Sequence, residues 1–290
     1  MNMNQTSGIV ACSNAVDRAY EYKIQELRDT LKSMGIDTIL SNHIYDMGYG
    51  NSGTGKERAE ALMKFYRDDV VDVIYDISGG DIANEILPYL DYDVIGASNK
   101  QFWGYSDLTT IMNAIYAKTG NSSVLYQVRN LIGREWGIQC MRFEEMLEKE
   151  NNSLKSGKNS LFDVNYDFIQ GERMEGILVG GNIRCLLKLA GTEYWPDMTE
   201  KILFLEARSG QISQIITYFS QLKQLGVFEE INGLFLGTFS ELETCVLMPQ
   251  VKDILGDYID ETMPVAMTKE VGHGADSKAL VIGERISMRK

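Results

Sequence analysis

The sequence predicts a two-domain α/β protein: an N-terminal, mostly parallel sheet flanked by helices, then a C-terminal α/β domain. Three observations predict this. The chain has 290 residues, room for two modest domains at about 150 residues each. Short apolar runs alternate with amphipathic stretches through its first half, the pattern of a parallel sheet covered on both faces. A polar stretch at 148–170, EKENNSLKSGKNSLFDVNYDFIQ, then interrupts the alternation and reads as a linker or surface excursion. The expected domains are residues 1–160, bearing the candidate nucleophile, and 161–290.

In chain order, GIVAC at 8–12 is the first strand, and residues 17–34 form a helix because Ile24, Leu27, Leu31 and Met34 recur at spacings of three and four. IDTIL at 36–40 is the next strand. GKERAEALMKFYRD at 55–68 is a charged amphipathic helix, and VVDVIYDI at 70–77 a buried strand closed by Gly79-Gly80 before a short helix at 82–90. QFWGY at 101–105 leads into a helix at 107–118. After the polar stretch, strands are expected at 175–179, 201–205, 233–237, 263–267 and 279–282, with helices at 211–225 and 246–260.

Composition narrows the function classes. The hydrophobic fraction is 44%, ordinary for a globular chain, and excludes disorder. A net charge of −13 with no basic cluster argues against a nucleic-acid partner. No run approaches the roughly 18 apolar residues of a membrane span. The N-terminal MNMNQTSGIVACSNAVD lacks a positive n-region, so no signal peptide is expected. Cys12, Cys140, Cys185 and Cys245 are scattered without a CxxC pair, which favours reduced thiols and a cytoplasmic address over zinc or disulfides. Only His43 and His273 are present, so a three-histidine metal site is impossible; neither metal nor cofactor is expected.

Gly104-Tyr105-Ser106-Asp107 lies between a strand and a helix. A nucleophilic serine is exposed on such a turn, and a helix-capping serine occupies the same place. The amides of Asp107 and of the Gly79 turn are candidate oxyanion donors. A serine needs a base, and His273, between Gly272 and Gly274 in a loop, is the better candidate; His43 reads as a surface or loop residue. Glu206 appears abruptly at the carboxyl end of KILFL, where open α/β sheets place functional residues. Ser106, Glu206 and His273 are compatible with a triad whose carboxylate orients the imidazole. Gly53-Thr54-Gly55-Lys56 lacks phosphate-loop spacing and reads as a helix-entry turn. Gly180-Gly181-Asn182 fits either a ligand approach or a tight strand–helix turn.

These residues sit in stretches that resemble one family. GTGKERAEALMKFYRDD (53–69), SGGDIANEILPYLDYDVI (78–95), FWGYSDLTTIMNAIYAKTG (102–120), GILVGGNIRCLLKLAGTEYWPD (176–197), KILFLEA (201–207), QLKQLGVFEEINGLFLGTF (221–239) and VGHGADSKALVIGE (271–284) together resemble the LD-carboxypeptidases and the microcin C immunity-type serine peptidases. The resemblance implies a Ser-Glu-His triad at Ser106 in GYSD, Glu206 in FLEA and His273 in GHG. It also implies an oxyanion hole at Gly79 and Asp107, a metal-independent reaction and a homodimer. The implied substrate is a small peptide, a murein tetrapeptide losing its terminal D-alanine, or else a peptidyl-nucleotide cleaved at its amide. The chain departs from the family in the region Ser123 to Arg129, where a Gly-Pro is common, at Ala207 to Gln211, and at Val281. These departures fall where substrate walls are expected. A cationic residue should clamp a terminal carboxylate, with Arg129 and Arg184 as candidates, and Trp136 or Trp195 would stack a nucleobase.

Overall fold

The computed structural model describes residues 5–152, 161–244 and 250–290. In the first half, β1 (Gln5–Val10), β2 (Ile36–Leu40), β3 (Val73–Asp76), β4 (Gln101–Gly104) and β5 (Ser123–Leu125) run parallel in the order β5-β4-β3-β1-β2. Among the described residues this half has the α-helices α1 (Glu21–Ser33), α2 (Gly55–Arg67), α3 (Tyr92–Ala97), α4 (Thr109–Thr119) and α5 (Trp136–Asn152). The chain passes from β1 outward to β2, then returns past β1 to β3. The crevice beyond the carboxyl ends of β1 and β3 is therefore the topological switch point, where open α/β sheets bind ligands.

The second half contributes β6 (Asp167–Gln170), β7 (Arg173–Asn182), β8 (Lys201–Ala207), β9 (Gly233–Phe239), β10 (Val265–Met267), β11 (Leu280–Ile282) and β12 (Arg285–Arg289), with α6 (Ile183–Leu186) and α7 (Ile212–Gln224). Its sheet runs β12-β7-β8-β9-β10-β6, parallel except for the two edge strands. β11 instead pairs antiparallel with β5 and completes the first sheet. Each sheet thus has six mostly parallel strands flanked by helices, the two-domain α/β architecture expected.

Local chemistry explains the elements. α1 turns Ile24, Leu27 and Leu31 inward. α2 opens with a capping box in which Thr54 and Glu57 satisfy each other's backbone amides, so the Gly53–Lys56 stretch is a helix-entry turn. α4 is buried along one continuous run from Thr109 to Ile115, because both sheets pack against it.

Residues 148–170 are not one polar linker. α5 continues to Asn152 and β6 occupies Asp167–Gln170; residues 153–160 lie outside the described residues. Leu161 is fully buried, Phe162 packs against Trp103 with ring centroids 6.2 Å apart, and Val164, Tyr166 and Phe168 pack against the core. The alternation of these apolar side chains with polar ones was hidden by the polar composition. The helix expected at 246–260 is only the turn Val251–Ile254 followed by a 3-10 turn at Leu255–Asp257; Gly256 weakens any continuation, and residues 246–249 lie outside the described residues.

Candidate active site

Ser106 begins a 3-10 turn directly after β4 and adopts φ 56°. Non-glycine residues seldom occupy this region, and holding one there costs about 1–3 kcal/mol. The strained turn is stabilised from within: Leu108 N–H donates to the Tyr105 carbonyl at 3.0 Å, and the Asp107 side chain is fully buried. The amide of Asp107 falls in the first turn of its helix, where amides have no intrahelical acceptor.

Glu206 sits near the carboxyl end of β8 and is 0% exposed. His273 occupies the loop after β10. Its Nδ1 is 2.6 Å from Glu206 Oε2, and its Nε2 is 3.1 Å from Ser106 Oγ. The structure thus joins the three residues in one hydrogen-bonded series, although 67 and 100 positions separate them in the chain. The second oxygen of Glu206 accepts from Asn182 Nδ2 at 3.0 Å. Both oxygens of a buried carboxylate are therefore satisfied, as its burial requires.

The His273 ring lies edge-on to Tyr105, with centroids 4.8 Å apart. The Tyr105 hydroxyl, close to Glu206 and Ser277, reaches hydrogen-bond geometry with no partner among the described residues. Burial first, then the Glu206 charge, pushes this phenol well up, so it stays neutral and fills space beside the imidazole.

Helix α4 brings the halves together. Asn113, fully buried, donates to the Gly180 carbonyl at 2.8 Å and accepts from the Gly180 amide at 2.8 Å. Thr109 Oγ1 accepts from the Asn182 amide at 2.9 Å. The Gly180-Gly181-Asn182 stretch is therefore the seat of the serine-bearing helix.

The Gly79-Gly80 turn faces the serine across a cavity of about 750 Å³ bordered by Ser106, His273, Gly79, Gly80, Arg129 and Arg208. Gly80 has φ +129°, and a Cβ there would fall 2.1 Å from Asn14 Oδ1; this turn requires glycine. Asn14 fixes it by donating its amide to the Gly79 carbonyl at 3.2 Å and accepting from the Asp81 amide at 2.8 Å. His43 lies apart, its Nδ1 2.8 Å from the Ser52 carbonyl. Among the described residues, no group of three or more His, Cys, Asp or Glu side chains could hold a metal.

Two family models match the chain. One, described as the LD-carboxypeptidase N-terminal domain, covers residues 8–126; the other, described as the LD-carboxypeptidase C-terminal domain, covers residues 175–288. The chain belongs to the LD-carboxypeptidase family. Among its relatives, the microcin C7 self-immunity protein MccF of Escherichia coli is 27% identical over 82% of this chain and 76% of that protein. The murein tetrapeptide carboxypeptidase of Pseudomonas aeruginosa is 23% identical over 89% of this chain and 86% of that protein. Solved structures agree in fold. MccF in complex with glutamyl sulfamoyl guanosine matches with a TM-score of 0.86 at 23% identity, over 99% of this chain and 96% of that one. Muramoyltetrapeptide carboxypeptidase from Oxalobacter formigenes matches with 0.78 at 22% identity, over 99% and 96%. Family membership places the chain among carboxypeptidase-type hydrolases.

In this LD-carboxypeptidase family member, Lys23, Arg129 and Arg208 outnumber one carboxylate, Asp17, among the residues bordering the cavity. Arg129 and Arg208 border it, and neither guanidinium has an acceptor among the described residues. Burial lowers Arg129 from its ordinary value, with Asp76 opposing and Arg208 adding to the effect. Arg129 is nevertheless exposed and borders the cavity, and a guanidinium keeps its charge there. Arg184 is instead tied to Asp81 and to the Gly80 carbonyl. Trp136 is 62% exposed and Trp195 packs into the core; neither lines the cavity. Lys188 was not singled out from the sequence; Asn182 entered only with the Gly180-Gly181 turn and Arg208 only within the departure at Ala207 to Gln211. Only Asn182 carried a signal, its place at the end of a strand before a helix.

Proposed function

We propose that this family member is a serine peptidase that releases a terminal D-amino acid from a murein-type peptide by cutting an L,D bond. Ser106 Oγ attacks the scissile carbonyl while His273 Nε2 takes its proton. Glu206 holds the Nδ1–H and stabilises the imidazolium. The amides of Gly79 and Asp107 receive the oxyanion, each worth about 3–4 kcal/mol in barrier. Collapse of the tetrahedral intermediate passes the proton from His273 to the leaving amine and leaves an acyl-enzyme, which water hydrolyses by the same proton path. Arg129, with Arg208 beside it, pairs with the terminal carboxylate, which could not be buried alone.

The observation that carries this reading is the Ser106–His273–Glu206 series at 3.1 and 2.6 Å, with the serine on a strained turn facing an open cavity. The test is D-alanine release from a murein tetrapeptide by the purified chain, against Ser106→Ala. Turnover that survives in Ser106→Ala would refute it. A second reading, hydrolysis of an aminoacyl-nucleotide amide, is favoured by the likeness to MccF; incubation with an aminoacyl sulfamoyl-adenylate separates the two. The free thiols of Cys12, Cys140 and Cys185 support a cytoplasmic address. Exposed Trp136, Ile138 and Met141 on one helix support a homodimer, which light scattering would test.

A further inference from the structure

The carboxylate of Asp107 is heavily engaged beside the nucleophile. It is 0% exposed. One oxygen accepts from Ser13 Oγ at 2.6 Å and from the Ala83 amide at 2.9 Å. The other accepts from Lys188 Nζ, which also donates to the Asp81 carbonyl at 2.7 Å. One helical turn earlier, Arg184 holds the Asp81 carboxylate and donates to the Gly80 carbonyl at 3.0 Å. Ser13 in turn donates its amide to Ser78 Oγ at 2.9 Å. A single turn of chain after β7, carried by the second half, thus grips the nucleophile turn and the Gly79–Asp81 turn of the first half together.

We propose that Lys188 is a positioning residue that acts through Asp107, fixing the two oxyanion-donating amides and cancelling the carboxylate charge beside the developing oxyanion; this rests on the proposed serine mechanism. The electrostatic effect of Lys188 is separable from its geometric one. A carboxylate one residue from the attacking serine, in a setting with little water, opposes negative charge on the substrate oxygen. The ammonium makes the pair neutral. Removing Lys188 would free the turn and also expose the oxyanion to that charge. Removing both charges would restore the second factor alone.

The experiment measures Ser106 labelling by a small, neutral fluorophosphonate, which needs no knowledge of the substrate, in the unaltered chain, Lys188→Met, Lys188→Arg, Asp107→Asn/Lys188→Met and Ser106→Ala, with melting temperatures alongside. Lys188→Met is expected to slow labelling by about ten- to a hundredfold, below the loss of a whole oxyanion donor. Lys188→Arg should recover most of the rate, and the double variant should label faster than Lys188→Met. Equal labelling of the unaltered chain and Lys188→Met would overturn the proposal while leaving the serine mechanism standing. So would a double variant no faster than Lys188→Met. No labelling of the unaltered chain would overturn the serine mechanism and the positioning role with it. If Lys188→Met fails to fold, Lys188→Arg and the double variant decide: the double variant labelling at less than a hundredth of the Lys188→Arg rate would overturn the charge-cancelling role, and a closer rate would support it.

Discussion

Replacing Glu206 with glutamine tests whether the carboxylate sets the histidine tautomer. Glu206 Oε2 faces His273 Nδ1 at 2.6 Å, and Oε1 accepts from Asn182 Nδ2 at 3.0 Å. Asn182 can offer only that donor, because its own carbonyl accepts from the Cys185 amide at 3.3 Å. A glutamine in the same place must therefore give its carbonyl to Asn182 and turn its NH2 toward His273 Nδ1. Nδ1 then has to accept, the proton moves to Nε2, and the nitrogen facing Ser106 can no longer take a proton. Amide replacement of a triad carboxylate lowers kcat by about 10⁴ for this reason, or about 5 kcal/mol of barrier. Adding Asn182→Asp should reverse the glutamine: the aspartate accepts from its NH2 and the carbonyl returns to His273. Recovery of about tenfold or more is expected, within the range of coupling between contacting residues. The assay is D-alanine release from a murein tetrapeptide at fixed pH, with melting temperatures to confirm folding. A Glu206→Gln chain within tenfold of the unaltered one, or a double variant no faster than the single, would refute the argument.

Arg129→Met should raise KM for a peptide with a free terminal carboxylate by about ten- to a hundredfold, the worth of one charge-assisted hydrogen bond, while an ester lacking that carboxylate is turned over unchanged; steady-state kinetics on both reads the difference. Arg58 is buried and donates to the carbonyls of Gly53, Cys12 and Ile82 as well as to Glu85, so Arg58→Met should lower unfolding stability by about 2–4 kcal/mol through the buried carbonyls it orphans, measured by urea denaturation. Glu270 is pulled two ways: burial raises its carboxyl, but hydrogen bonds from Lys278 and from the amide and side chain of Asn165 win and hold it below its ordinary value. A depressed carboxylate stabilises above its unfolded value and loses that stability as pH falls through the folded value. The melting-temperature gap between the unaltered chain and Glu270→Gln should therefore be constant above about pH 5 and close in more acidic solution.

Periodicity made most of the fold legible, because apolar spacing is a local property. It placed the strand at 36–40 and the inward face of α1 without tertiary knowledge. It failed where order comes from partners. β6 and β12 are edge strands whose side chains, Met288 apart, are exposed or half-exposed, and pairing with β10 and β7 fixes them as strands. The strand at 280–282 was legible as a strand, but its place beside β5 was not, since register across sheets leaves no mark in a three-residue apolar run.

The site divides in the same way. Ser106, Glu206 and His273 could be singled out because each stands where a strand or loop changes character, and the family resemblance supplied their roles. Lys188 could not, because a cation on a short turn is ordinary in sequence, and Asn182 and Arg184 were legible only as part of a Gly-Gly-Asn turn and as a candidate carboxylate clamp. Their meaning arises only when α4 docks on β7 through the paired Asn113 and Gly180 bonds. That docking sets the separation of the serine, on the first sheet, from the carboxylate, on the second. The geometry of the proposed relay is then fixed by buried polar contacts between the halves rather than by either sheet alone. Directional contacts of this kind carry a distance, which apolar packing leaves to adjust, and a proton relay working at about 3 Å depends on that distance.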